Sequence, residues 1–448
     1  MALQIWLPLI KDLKNYGLRQ DLTFSIISDT GAISMSNEGK IGPCYERTKT
    51  ATKDCIRSSS TILLDNSFSM CCWALISAPG NSGSANGIIT NHSHTANAGA
   101  GITMRYISAN DYRISCNTGT GSNRTYFTYA GNTNIYNKWH HLGLTYNKST
   151  QTLRLYVDGL PETISSYNSS GVATTIGKDL SYNMAATHTY FDLFNWSTTH
   201  QTSADYRPKC KLNDVRVYDH CLSAREMKMI SQGLILNYKL DTSFNSAVEY
   251  DCSGYNQNGI RHGSLTSLTN TARHLNACML TDGRSNYITS PTMNAPKESI
   301  TVSCWVKGTE AGYNNYHIPL CFNSSEYEIS ITSSGKLRGG FVIPNSAIAP
   351  DRKCDNTSHT ANLFDGKWHM LTLTYNGHSI MRYVDGIEAR VSDEAKYKIC
   401  PGTMTGNAGQ WYIGNYCNSG GYGNKNLAMS DVRIYVTALS AADVKELY

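Results

Sequence analysis

The sequence predicts an all-β protein built from two tandem sandwich domains, residues 1–231 and 232–448, each ending in a short helix. Three observations carry that reading. The composition favours strands, four sequence blocks occur twice in the same order, and turn signals separate short apolar runs.

Composition sets the class. Only 16% of the 448 residues are charged, and Asn, Ser, Thr, Gly and 29 Tyr fill the deficit. The Ala, Leu, Glu and Lys that sustain long helices are sparse, whereas β-branched and aromatic residues lie between turn formers. Recurrent runs of Trp, Tyr, Ile, Leu and Val exclude a disordered chain. The formal charge of +5 is not gathered into a basic block, which argues against nucleic-acid binding. No apolar run is long enough to span a membrane. The opening residues read as a strand and lack the basic region and cleavage site of a signal peptide, so the expectation is folding in a cytoplasm. The 14 Cys form no C-x-x-C pair. Cys72, Cys304 and Cys321 sit inside apolar strands and read as small buried hydrophobes in the reduced state.

The repeat sets the domain count. The block from Ser67 to Trp73 matches Ser299 to Trp305, and Lys138 to Asn147 matches Lys367 to Asn376. Tyr156-Val157-Asp158-Gly159 matches Tyr383-Val384-Asp385-Gly386, and Asp214 to Tyr218 matches Asp431 to Tyr435. The spacing between partners drifts, as it does when loops of different length join a common core. The period, about 220 residues, is too long for a solenoid and suits one all-β domain. Ser223 with Glu226, and Ser440 with Asp443, read as capping boxes that open the two terminal helices. Gln232-Gly233 leads straight from the first helix into the strand Leu234 to Tyr238, with no flexible linker. The expectation is two domains docked with limited freedom.

Within a copy, alternation sets the faces. Trp368, Met370, Thr372 and Thr374 share one side of a strand, and His369, Leu371, Leu373 and Tyr375 share the other. Asn376-Gly377 and Asp385-Gly386 then mark hairpin turns. Strands joined in this way make antiparallel meanders and two stacked sheets.

At W-H-x-L-x-x-T-Y-N, Y-V-D-G and D-V-R-[VI]-Y followed by a Leu-Ser-Ala helix start, the sequence resembles the LamG-like, concanavalin A-like lectin/glucanase superfamily. The segment Asp251 to Gly259 is similar to a turn near the start of such domains. The resemblance covers both copies nearly end to end and implies a jelly-roll β-sandwich. The opening strand with Gly39 to Tyr45 also resembles proteins of bacteriophages and prophages of gut bacteria. There, tandem LamG-like domains occur in tail fibres, head fibres and decoration proteins.

Catalysis finds little support. Glucanases of this superfamily carry an E-x-D-x-(x)-E strand that aligns carboxylates on one face. The nearest cluster here, Asp393-Glu394, points its carboxylates apart. No nucleophile elbow, P-loop or dinucleotide fingerprint occurs. His140, His141 and His369 read as packed strand residues, and His92-Ser93-His94 as surface loop. The resemblance admits calcium, for which Asp158, Asp214, Asp385 and Asp431 recur in both copies. Asp158 and Asp385 precede Gly, however, where Asp is favoured without a metal. No cofactor or metal site is assigned.

The loops carry Tyr, Trp, Asn, Ser and Gly, the chemistry of adaptable binding surfaces. Trp196 and Tyr206 in copy 1, and Tyr313, Tyr316, Tyr416, Tyr422 and Asn424 in copy 2, are the candidate contacts for a glycan or a protein subunit. The resulting expectation is a non-enzymatic virion surface protein of a bacteriophage, made in the host cytoplasm. It would assemble through one face, as a homo-oligomer or with other virion subunits, and display the other for adhesion to a cell-surface glycan. A soluble carbohydrate-binding module is the alternative, with a glycan-cleaving enzyme behind it. The divergent loops suggest that one copy attaches and the other binds.

Overall fold

The computed structural model describes residues 2–27, 30–50, 53–80, 85–119, 124–129, 133–167, 173–174, 184–185, 188–198, 207–240, 247–269, 276–280, 285–312, 316–323, 326–344, 356–357, 362–391, 398–416 and 424–448. The chain folds as two units, Met1–Ser231 and Gln232–Tyr448, here copy 1 and copy 2. Each copy is a sandwich of two large sheets, and among the described residues their named strands pair antiparallel. Among the described residues, no helix is long and apolar enough to cross a membrane.

In copy 1 the first sheet runs Leu160–Pro161, Thr152–Val157, Trp139–Asn147, Phe68–Ala78, Lys209–Tyr218, Cys44–Arg47, Ile33–Ser36. The opening strand Leu3–Leu7 pairs with Lys209–Tyr218, so the copy's first and last strands are neighbours. The helix α1 (Ala224–Ser231) covers the outside of this sheet, which we call the helix-side sheet. The far sheet runs Phe24–Ile27, Cys55–Ser58, Asp192–Leu193, Ala85–Thr90, Ala100–Ser108, Asp111–Gly119, Arg124–Tyr129, Ile164–Tyr167, Ala173–Thr174.

Copy 2 repeats this plan. Its helix-side sheet runs Thr266–Thr269, Asn276–Leu280, Leu427–Tyr435, Ile300–Lys307, His369–Tyr375, Ile380–Val384, Ile387–Glu388, with Leu234–Tyr238 on Leu427–Tyr435 and helix α2 (Ala441–Leu447) outside. Its far sheet runs Val248–Glu249, Gly259–His262, Tyr287–Thr289, Trp411–Ile413, Tyr316–Phe322, Tyr327–Thr332, Leu337–Phe341, Asn356–Thr357. The two far sheets differ at their ends. Copy 1 adds strands beyond Arg124–Tyr129, and copy 2 adds Val248–Glu249 at the opposite edge.

Period-2 patterning builds the cores. Phe68, Met70, Cys72, Ala74 and Ile76 point between the sheets of copy 1, while Cys71 joins Tyr156, Leu222 and Met227 under α1. At Gly143 a Cβ would lie 2.7 Å from the Met227 sulfur, so a larger residue there would displace the end of that side chain. In copy 2, Phe341 meets Tyr375 across the sandwich with ring centroids 6.0 Å apart. Met370 lies on the other side with Trp305 and Val444 of α2. Both capping boxes form: Ser223 N donates to Glu226 at 2.8 Å, and Asp443 N donates to Ser440 Oγ at 3.2 Å. The Asp-Gly hairpins turn through two positive φ values, 51° and 78° at Asp158-Gly159 and 54° and 74° at Asp385-Gly386. That is the turn whose twist matches the strands.

Two expectations are corrected. Cys321 is disulfide-bonded rather than reduced; an apolar strand pattern shows where a cysteine sits along the chain, not which other cysteine lies near it. Cys72 and Cys304 are free and fully buried, and burial pushes both thiols up, away from reactivity. His92 and Ser93 are buried rather than surface decoration, because residues 195–198 fold over them and Thr198 N donates to His92 O at 2.9 Å.

Candidate functional site

The motifs that recur most faithfully build a clasp. His140 Nδ1 lies 2.8 Å from Asp158 Oδ2, and Asp158 Oδ1 accepts the His141 backbone N–H at 2.9 Å. In copy 2 the same atoms of His369, Met370 and Asp385 meet at 2.8 Å in both contacts. One carboxylate thus ties the start of a strand to the hairpin that follows it. Burial alone would raise the Asp158 carboxyl, but the hydrogen bond and charge of His140 hold it below the usual range. The Asp385 hydrogen bond raises His369, with Asp365 adding a contact at 3.1 Å.

The second recurring Asp is structural as well. Asp214 Oδ1 accepts from Trp6 Nε1 at 2.7 Å and from Arg216 Nε at 2.9 Å. Asp431 holds Arg433 through two contacts of 2.8 and 2.7 Å. Both sit in left-handed backbone, at φ of 51° and 50°, where the closing strand breaks register. The carboxylates weighed as calcium ligands therefore have protein partners, and no cluster of three His, Cys, Asp or Glu side chains suits a metal among the described residues.

The predicted loop residues meet different fates. Tyr206, Tyr313 and Tyr422 lie outside the described residues. Trp196 is 5% exposed, which corrects its assignment as a surface contact. Phe194 turns the chain through a φ of 60°, and Asn195-Trp196 folds back over the outside of the far sheet. Gly87 admits it, since a Cβ there would lie 2.0 Å from the Asn195 carbonyl oxygen. Trp196 then rests beside His92 and His94, with centroids 5.9 and 5.1 Å away.

Asn424 is also buried and is corrected from a contact residue to a brace. Its side-chain oxygen accepts from Ile318 N at 2.9 Å and its side-chain nitrogen donates to Ile318 O at 3.1 Å, replacing a strand partner where the register slips. Tyr416 and Tyr316 remain half-buried. Tyr416 follows a turn like that of Trp196, with Gly414 at a φ of 88° in the place of Phe194. Tyr316 sits on the far sheet with the Arg338 guanidinium 5.5 Å from its ring centre.

The pairing register brings together a set that sequence reasoning missed. His262 is opposite Tyr287, and Thr289 is opposite Tyr412, so all four side chains share the outer face of copy 2's far sheet. Ile288 and Ile413 point the other way and are buried. His262 and Tyr287 stack with centroids 4.4 Å apart and planes 16° apart, and Tyr412 lies 6.1 Å beyond. His262 Nε2 also meets Thr289 Oγ1 at 3.0 Å. All three rings are partly exposed, and Ile260 at the end of the row is 56% exposed. Burial and the neighbouring Tyr412 raise the Tyr287 phenol, which stays protonated as a hydrogen-bond donor at neutral pH. Tyr316 and Arg338 lie on the same face farther along the sheet.

In copy 1 the equivalent positions are ionic. Arg57 takes the place of Thr289 and Asp192 that of Tyr412, joined by two contacts of 2.7 and 2.6 Å. Asn195 Nδ2 donates to the same carboxylate at 2.7 Å, and Arg57 lies 4.8 Å from the centre of the Tyr190 ring.

The family model of the concanavalin A-like lectin/glucanases superfamily matches residues 50–228 and again residues 282–445. No curated protein matches the chain. Among solved structures, it is similar to domain 4 of an extracellular arabinanase from Geobacillus stearothermophilus, in complex with arabinotriose. The match has 18% identity and a TM-score of 0.35, over 48% of this chain and 98% of that one. The receptor-binding domain of the botulinum neurotoxin C/D mosaic serotype matches at 17% identity and a TM-score of 0.34, over 48% and 51%. The ligand-binding domain of botulinum neurotoxin serotype D, in complex with N-acetylneuraminic acid, matches at 17% identity and a TM-score of 0.35, over 48% and 50%. The chain spans about half the length of these neurotoxin domains. With its family motif present twice on one repeated sandwich, the chain belongs to the concanavalin A-like lectin/glucanase superfamily.

Proposed function

We propose that this protein is a non-enzymatic adhesion protein that binds glycan through the far sheet of copy 2. The observation that carries the reading is the row His262, Tyr287 and Tyr412. Aromatic rings pack against the C–H faces of sugar rings, while phenol and imidazole groups hydrogen-bond to hydroxyls. A sheet face holds such groups on a rigid support at fixed spacing, so little ordering entropy is lost on binding. Tyr316 and Arg338 extend the face with a further ring and a positive charge.

The resemblance to phage proteins in the opening segment supports a place on a bacteriophage particle, in a tail fibre, head fibre or decoration layer. Copy 1 would then serve attachment and copy 2 adhesion. A glycan array probed with the full chain tests the binding reading. Tyr287→Ala and Tyr412→Ala should each erase the signal, and retention in both would overturn it. Mass spectrometry of purified particles tests the location, where absence of the chain would leave a soluble carbohydrate-binding module.

A further inference from the structure

We propose that the strand Phe24–Ile27 of copy 1 is a self-association edge, closed by the same strand of a second copy of this chain in antiparallel pairing. The strand pairs on one side with Cys55–Ser58, in continuous register from Phe24 opposite Ser58 to Ile27 opposite Cys55. It ends the far sheet, and no described strand lies on its other side. Ser25, Ile26 and Ile27 are exposed, the two isoleucines at 37% and 46%. A free edge offers a row of backbone N–H and C=O groups that another strand can satisfy.

Copy 2 shows what fits there. Its equivalent strand, Gly259–His262, pairs with Tyr287–Thr289 on one side. On the other it carries Val248–Glu249, with Val248 opposite Ile260 and Glu249 opposite Gly259. That closing strand is pinned by the buried ion pair of Glu249 with Arg261 and by Leu240 N donating to Glu249 at 3.2 Å. The fold thus closes this edge with a short antiparallel strand in copy 2, whereas in copy 1 no strand closes it among the described residues.

The occupant follows from the strand's own chemistry. Leu22 to Ile27 contains no charge and no proline, and its pairing has no bulge. These are the devices by which exposed edges normally repel other strands. Two copies related by a two-fold axis bring no like charges together across this segment, and exposed isoleucines from both chains cover one another. The join would continue one far sheet of copy 1 into the same sheet of its partner.

Sedimentation of the full chain over a micromolar concentration series tests the proposal. A monomer–dimer equilibrium is expected, with amide exchange at residues 24–27 slowing as dimer forms. The double substitution Ser25→Lys with Ile27→Lys should weaken the dimer at least tenfold. Ile260→Lys, on the strand already closed, should leave association unchanged. A circular dichroism melt shows that the doubly substituted chain is folded. A strictly monomeric wild type, a trimer, or a dimer that survives the two lysines would overturn the proposal.

Discussion

Beneath the repeated tryptophan, copy 1 carries His141 and copy 2 carries Met370. The Met370 side chain completes an apolar cluster with Trp305, Tyr383, Tyr435, Leu439 and Val444. The His141 ring is fully buried, with Trp73 edge-on at 5.4 Å, and neither ring nitrogen has a hydrogen-bond partner. Burial depresses its pKa to about 4, although Asp214 and Asp158 pull it upward. The same split runs through the far sheets: copy 1 folds Asn195-Trp196 over an Arg57–Asp192 pair, and copy 2 exposes three rings. One scaffold thus tolerates opposite chemistry at matching positions, provided each polar group acquires a partner or loses its charge. The shared clasp serves the fold, and the divergent face is free to serve a ligand.

The two copies should respond most unequally at the ionic face. Arg57→Ala would strand the buried Asp192 carboxylate, which should cost copy 1 about 3–5 kcal/mol. Thr289→Ala, the matching change in copy 2, should cost about 1 kcal/mol or less. Hydrogen exchange in Trp139–Asn147 and His369–Tyr375 reads the two copies separately in the full chain. Equal losses would contradict the assignment.

Acid should separate the copies next. Below pH 6.5 the unfolded chain protonates His141, whereas the folded chain resists until about pH 4. Copy 1 therefore loses stability as pH falls across that window, by roughly 3 kcal/mol in total. His141→Met should flatten the slope. His369 has the opposite sign: its raised pKa gives stability that is fully present below pH 6.5 and is lost as pH rises through its folded value. Melting each copy by exchange from about pH 4 to about pH 9 covers both windows and checks both directions.

The clasp should show the smallest contrast between copies. Asp158→Ala and Asp385→Ala each remove an acceptor for one ring nitrogen and one backbone N–H. Each should cost about 2–3 kcal/mol, with near-equal effects on the two domains. A large inequality would mean that the repeated motif has diverged in role.

The sequence foretold what is local and periodic. Alternation from Trp368 to Tyr375 marked the faces, Asp-Gly marked the hairpins, and the serine–acid pairs marked both helix starts. It did not foretell burial. Trp196 and Asn424 have the composition of a binding loop, but a positive φ at Phe194 and a register slip near Ile318 turn them inward. The aromatic row escaped notice because His262, Tyr287 and Tyr412 sit on three short strands joined only by register. A Tyr or His alternating with buried Ile, as in Tyr287-Ile288-Thr289 and Trp411-Tyr412-Ile413, was the available signal.

Under the proposed function, copy 2's far sheet holds the ligand and copy 1's does not. Calorimetric titration of the full chain with the best glycan from an array, repeated for Tyr287→Ala, Tyr412→Ala and Arg57→Ala, tests it most directly. Loss of binding by at least tenfold in both tyrosine variants, with Arg57→Ala unchanged, is expected. Unchanged affinity in the tyrosine variants, or loss confined to Arg57→Ala, would contradict it.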